Sequence, residues 1–362
     1  MTETFRWPRH NGGFPATEPA ARRGLPSAFP VLRGGRAGIV DFHASQPHFI
    51  DHLAPLWLEA KQRGIAGVFV LPTDLIPRAV RRGLSGHDIK GAGSASAGCV
   101  VCASIGDVRG VAATGRRLAL LEHGCGLSFS GAHPGHSGGG GVRAEVSLFL
   151  MTNEYCAARD RAAYPKARVV TCGAPKLDVL AARKWVRHDP PVIGYATHWD
   201  CMSAPETRSA LPYYHAALKT LADRYRVVAH THPRSGLQTW QTFSALGLDT
   251  VRDWADFLEA VDLLVCDCGS APYEFAFTGR PVVVLNCPLY RKTVHHGLRF
   301  WENVPGLQVD DPRQLTATVE RALQDPENAQ RMRQDAVRAV YPHRGHATKI
   351  AVDALEEWAN GG

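Results

Sequence analysis

The stretch DWADFLEAVDLLVCDCGSAPYEFAFTGRPVVVLNCP, residues 253–288, decides the fold. Two apolar runs, Leu263–Cys266 and Val282–Leu285, have the length of buried strands, and a helix-like segment from near Gly269 to Gly279 lies between them. This is a strand-turn-helix-strand unit. In its first turn, Asp267-Cys268-Gly269-Ser270, small and polar residues stand where a helix leaves its first amides unpaired, which suits a phosphate group. Ser270 as a plain helix cap is the competing reading.

The same rhythm extends to both sides. Before the unit, Val192–Thr197 and Arg226–Ala229 read as strands, Leu211–Arg224 and Trp240–Leu246 as helices, and Thr250–Arg252 as a brief strand. Further back, Ile39–Ala44, Gly67–Leu71, Gly98–Ala103, Arg117–Glu122, Val146–Met151 and Ala167–Cys172 are strand candidates. Phe49–Arg63, Leu75–Arg82 and Glu154–Ala163 are the helices among them. Strands alternating with helices imply parallel sheets, whose ligands lie beyond the carboxyl ends of the strands. The expected class is α/β, with two similar units and a cleft between their sheet ends.

The expected divisions are an irregular arm over 1–36, a first Rossmann-like domain over 37–185, a charged, Pro-ended linker over 186–191 and a second domain over 192–340. Helices are expected near Pro312–Leu323, Pro326–Val340 and His346–Trp358, and a tail over 341–362 closes the chain.

Composition narrows the function. The 362 residues are 45% hydrophobic, too apolar for wholesale disorder, and contain no uninterrupted apolar run long enough to span a bilayer, for which about 18 residues are needed. A formal charge of +7 suits an anionic substrate or a membrane surface at least as well as nucleic acid, and no nucleic-acid module accompanies it. Nine cysteines without a signal segment argue against a disulfide framework, so a cytoplasmic protein is expected. Cys99 and Cys102 have CxxC spacing, but on a strand residues three apart face opposite ways.

Candidate chemistry gathers at strand ends. His123 follows the strand ending at Glu122, where an imidazole can reach the cleft and take a proton from a hydroxyl; a hydrogen-bonded loop histidine is the alternative. The loop Gly131–Gly141 carries His133 and His136 but lacks the GxxxxGK[ST] phosphate pattern, and two histidines without further ligands do not define a metal site. Cys172-Gly173-Ala174-Pro175-Lys176-Leu177-Asp178 follows another strand and places Lys176 and Asp178 around a first helical turn, or serves as a turn and cap. Thr197 and His230 end two strands, and His232 beside Arg234 is read as facing a diphosphate, with burial or capping the alternative for His230. Tyr290, Arg291, Lys292, His295 and His296 form a basic loop that either meets phosphate or faces solvent.

These motifs, in this order, resemble the CDP-glycerol glycerophosphotransferase family of teichoic-acid and capsule synthesis. The resemblance spans roughly residues 110–290 and rests on Glu122-His123-Gly124, Gly173 to Asp178, Tyr195 to Trp199, His232-Pro233, and Asp267 to Ser270 with Glu274-Phe275. It implies a GT-B arrangement, with the last helix crossing back to the first domain. It also implies transfer of glycerol phosphate from CDP-glycerol, or a related CDP-alcohol, to a hydroxyl of a polyol-phosphate or lipid-linked saccharide acceptor, releasing CMP.

In that reading His123 is the base and His232 faces the donor phosphates. Gly173, Lys176, Asp178, Thr197, His230, Arg234, Asp267, Gly269, Ser270 and Glu274 surround the donor, Glu274 holding a donor hydroxyl. No cofactor and no metal are expected. Lys176 stands where the family has Arg, Cys125-Gly126 where it has Thr-Pro, and Glu274 where it has Asp. A lipid-linked acceptor would bring the protein to the inner membrane face, helped by Arg6, Arg9, Arg22 and Arg23 of the arm.

Two other classes share the cleft: a GT-B glycosyltransferase or nucleotide-sugar epimerase acting on a UDP- or CMP-linked sugar, and a noncatalytic binder of nucleotide or anionic polymer. NAD chemistry and α/β-hydrolase chemistry are disfavoured, because neither GxGxxG after a first strand nor a GxSxG elbow at residues 267–270 is present.

Overall fold

The structure is a computed structural model that describes residues 36–91, 97–126, 141–199, 208–232, 235–287 and 302–361. Two parallel sheets organise it. The first comprises β1 (Arg36–His43), β2 (Ala66–Val70), β3 (Ile89–Lys90), β4 (Ala97–Cys102), β5 (Arg117–Leu121), β6 (Val146–Met151) and β7 (Arg168–Thr171). Its order is β3-β2-β1-β4-β5-β6-β7. The second contains β8 (Ile193–Thr197), β9 (Val227–Thr231), β10 (Asp249–Thr250), β11 (Leu263–Cys266), β12 (Val282–Leu285) and β13 (Leu307–Val309), ordered β10-β9-β8-β11-β12-β13. Each sheet therefore reverses its strand order once, between β1 and β4 and between β8 and β11, and such switch points open a crevice at the carboxyl strand ends.

Helices α1 (Pro47–Gln62), α2 (Ile76–Arg81), α3 (Ile105–Ala112) and α4 (Glu154–Ala163) belong to the first lobe. The second has α5 (Leu211–Ala222), α6 (Leu237–Ala245), α7 (Trp254–Ala260), α8 (Ala271–Ala276), α9 (Leu315–Leu323) and α10 (Glu327–Val340). All four residues of β11 and all four of β12 are buried, as sheet strands covered by helices on both faces must be. Cys99 packs in the core beneath α1 and Cys102 in the core on the other face of β4, as the alternation of a strand requires.

The last helix, α11 (Ala347–Ala359), lies on the first lobe: Ala351, Val352, Leu355 and Trp358 share a core with β1 and α1. Trp358 Nε1 donates to Ser147 Oγ at 3.0 Å, and Arg63 of the first lobe pairs with Asp353 and Glu356. The sequence expectation lacked β3, α3, α7 and β13. Helix α3 begins at a Ser104 cap that accepts from the Asp107 amide, but its Gly-containing sequence IGDVRGVA hides a helical period. Strand β13 has only three residues, too few for alternation to register.

Candidate active site between the lobes

His123 stands at the carboxyl end of β5 in a segment held on both sides. The preceding Glu122 pairs with buried Arg143, which also binds Asp160 at 2.7 Å. Two residues on, the Cys125 carbonyl accepts from Asn153 Nδ2 at 2.9 Å, and the Gly124 carbonyl accepts from the Tyr341 hydroxyl at 3.3 Å. The imidazole packs edge-on against Phe49 at 5.1 Å, with His48 and His52 at 6.1 and 5.9 Å between ring centroids. His48 and His52 were not singled out from the sequence. Their four-residue spacing on α1, which puts both on one face, was the available signal. His52 is buried, and desolvation first, then the Lys176 ammonium and the neighbouring histidines, hold its pKa well below that of a free imidazole.

Across the cleft, the switch point of the second sheet is locked by Asp267. Its buried carboxylate accepts from the Thr197 hydroxyl at 3.0 Å and from the amides of His198 and Ala210 at 2.8 and 3.0 Å. Desolvation outweighs these bonds and pushes its pKa up to about 7. Thr197 and Asp267, expected on the donor, are thus turned into the protein beneath the cleft, and they present the residue that follows Thr197. That residue, His198, packs against the His232 ring at 5.1 Å and against Gly269, where an added Cβ would come within 3.2 Å of His198 Cδ2. Gly269 has φ +115°, a conformation open to glycine and strained for other residues. Ser270 is half-buried and its side chain makes no capping hydrogen bond, so it does not serve as the plain cap of α8.

The two neighbouring histidines differ in their place on β9: His230 lies within the strand and His232 just past its end. His230 is buried, Nδ1 donating to the Val251 carbonyl at 2.9 Å, with its ring among Trp254 and Phe257. Burial lowers its pKa and keeps it neutral, so it supports the wall. His232 is half-buried beside His198 and Trp199.

The segment Gly173 to Asp178 serves the joint between lobes. Gly173 has φ +89°, and a Cβ there would lie 2.3 Å from the Pro342 carbonyl oxygen. Asp178 accepts from the amides of Ala347 and Thr348 and so caps α11. Both were expected on the donor; the structure gives them to the crossing segment. Lys176 Nζ meets Glu274 Oε1 at 2.7 Å, an ion pair that crosses between lobes and occupies the carboxylate expected on a donor hydroxyl.

Cys125 Sγ approaches the Gly269 carbonyl at 3.7 Å, which brings the His123 loop onto the turn that ends in Ser270. His123 on one lobe, and His198, His232 and Ser270 on the other, thus flank the contact between Cys125 and Gly269. Arg234, His133, His136, the loop from Tyr290 to His296 and the arginines of the arm lie outside the described residues. Among the described residues no three His, Cys, Asp or Glu side chains are grouped as metal ligands would be, and no helix is long and apolar enough to cross a membrane.

Two Rossmann-like lobes with histidines at the carboxyl strand ends form a scaffold of the GT-B type. The family model for CDP-glycerol:poly(glycerophosphate) glycerophosphotransferases matches residues 148–354, more than half of the chain, and the chain belongs to that family. Solved structures share the fold. The wall teichoic acid polymerase TagF, in a crystal soaked with CDPG, superposes with a TM-score of 0.63 at 12% identity, covering 92% of this chain and 91% of that one. A putative UDP-N-acetylglucosamine 2-epimerase from Listeria monocytogenes also reaches 0.63 at 14% identity, covering 89% and 97%. The MnaA protein of S. aureus, solved with UDP, reaches 0.61 at 14% identity, covering 89% and 96%. No curated protein sequence matches the chain.

Proposed function

We propose that this protein transfers glycerol phosphate, or a related polyol phosphate, from a CDP-linked donor to a hydroxyl of a polyol-phosphate or lipid-linked saccharide acceptor. Family membership over residues 148–354 supports the reaction type. The observation that carries the site is the seating of the His123 loop on the Gly269 turn through Cys125. A base on one lobe and polar groups on the other then address a single bound donor.

In this reading His123 takes the proton of the acceptor hydroxyl as its oxygen attacks the β-phosphorus. A new P–O bond forms, the bond to the bridging oxygen breaks, and CMP leaves with the electron pair. His232, with His198 beside it, donates hydrogen bonds to the phosphate oxygens together with the amides of the Gly269–Ser270 turn. Glu274, paired with Lys176, holds the edge of the donor pocket. The histidines and the amides of the Gly269–Ser270 turn supply the polar groups, so turnover is expected without metal and should persist in a chelator.

The test is purified protein with CDP-glycerol and a polyol-phosphate acceptor, following CMP and the new phosphodiester. His123→Ala is expected to lower turnover by about 10²–10⁴-fold while leaving donor binding in place. Wild-type protein that epimerises or transfers a sugar from a UDP- or CMP-linked donor, and leaves CDP-glycerol intact, overturns the donor assignment. Binding without turnover of either donor class would favour a noncatalytic role. Co-sedimentation with anionic vesicles at low salt tests the proposed contact with the membrane face; indifference to the vesicles counts against it.

A further inference from the structure

Arg78 and Arg82, at the end of α2 in the first lobe, each reach two carboxylates that belong to different lobes. Arg78 donates from Nη1 to Asp253 at 3.0 Å and from Nε to Asp51 at 3.2 Å, with a second contact from Nη2 to Asp51. Arg82 donates from Nε to Asp51 at 2.7 Å and from Nη2 to Asp253 at 3.2 Å. The result is a closed ring of two guanidinium and two carboxylate groups whose charges cancel. Its side chains are only 15–24% exposed. A single exposed pair would contribute little, but planar guanidinium forks shared between two carboxylates constrain direction as well as distance.

Both ends of the ring lead to the cleft. Asp51 lies on α1 between His48 and His52, the helix face that packs against His123. Asp253 caps α7, accepting from the Ala255 amide at 2.9 Å. The next residue, Trp254, packs against His230, two residues before His232. The ring therefore ties the helix that seats the proposed base to the helix that walls the proposed phosphate side.

We propose that Asp51, Arg78, Arg82 and Asp253 are positioning residues that set the spacing between the lobes, and so the distance between His123 and the donor held at His232. The inference rests on the transfer reading for its kinetic consequence, whereas its structural consequence is independent of any activity. Removing charge from the ring widens the cleft without removing any group that touches donor or acceptor.

Asp253→Asn tests this, because asparagine caps a helix as well as aspartate while lacking the charge. Arg82→Gln, which leaves the cap untouched, is the second variant should the first fail to fold. Small-angle scattering of the full chain is expected to show a larger radius of gyration for either variant at low salt. Hydrogen exchange is expected to quicken at the end of α2 and the start of α7. Raising salt to about 1 M, where the screening length falls to about 3 Å, should bring the wild type toward the variants and leave them little changed.

With CDP-glycerol as substrate, kcat should fall by about tenfold or more, because a displacement near 1 Å is enough to impair transfer, while the donor dissociation constant stays within about twofold. Unchanged scattering and exchange in both variants overturn the ring, whatever the kinetics. A wild type inactive on CDP-glycerol overturns the transfer reading and leaves the scattering test of the ring standing.

Discussion

His52 and Asp267 are buried titratable groups on opposite walls of the cleft, and burial moves their pKa values in opposite directions. His52 is held below the ordinary imidazole value, so the unfolded chain gains a proton near pH 6.5 that the folded chain refuses. Its contribution to stability is present above that pH and is lost as pH falls. His52→Gln is expected to make the decline in denaturation midpoint between about pH 6.5 and 5 shallower, with the part due to His43 and His230, also lowered by burial, remaining. Asp267 is raised to about 7, so its contribution is present below the free carboxyl value and is lost as pH rises toward 7. Asp267→Asn should flatten that fall between about pH 4 and 7, checked by urea midpoints across the range. The sequence placed Asp267 at a strand end, which made a ligand contact the expectation. It could not show that three donors from Thr197, His198 and Ala210 converge on the carboxylate, because those donors come from other segments.

At the scale of elements, α11 depends on residues far from it in the chain. Asp178 caps its first turn, and Gly173 leaves room for the Pro342 carbonyl. Gly173→Ala places a Cβ in a left-handed backbone and against that oxygen, and should cost about 1–3 kcal/mol. Chemical denaturation measures the loss, and hydrogen exchange should show α11 opening from the first lobe before the rest. The segment Gly173 to Asp178 was legible as a strand exit followed by a turn, since Gly and Pro175 mark one locally. Its assignment to α11 was not legible, because a cap acting on a helix 169 residues later leaves no periodic trace. The converse holds for β11 and β12, whose uninterrupted apolar runs marked them as buried strands.

Across the whole molecule, the lobes meet through the Lys176–Glu274 pair, the Cys125–Gly269 contact and the arginine ring. Lys176→Met would leave Glu274, 5% exposed at its side chain, without its cation, and is expected to destabilise the protein by about 2 kcal/mol or more. The double variant with Glu274→Met should recover part of that loss in the denaturation midpoint, a non-additivity that measures coupling between the lobes. The strand-helix rhythm, the strand-end placement of His123, His232 and Ser270, and the order of the motifs were written in the sequence, because hydrophobic period and turn chemistry act over a few residues. Which of those side chains face the cleft, and which are spent holding it together, was decided only by the tertiary structure. Thr197 differs from His198 by the pleat of a strand, and His230 from His232 by lying inside β9 and not past its end; the partners that bury Thr197 and His230 come from distant segments, which meet only when the second lobe folds.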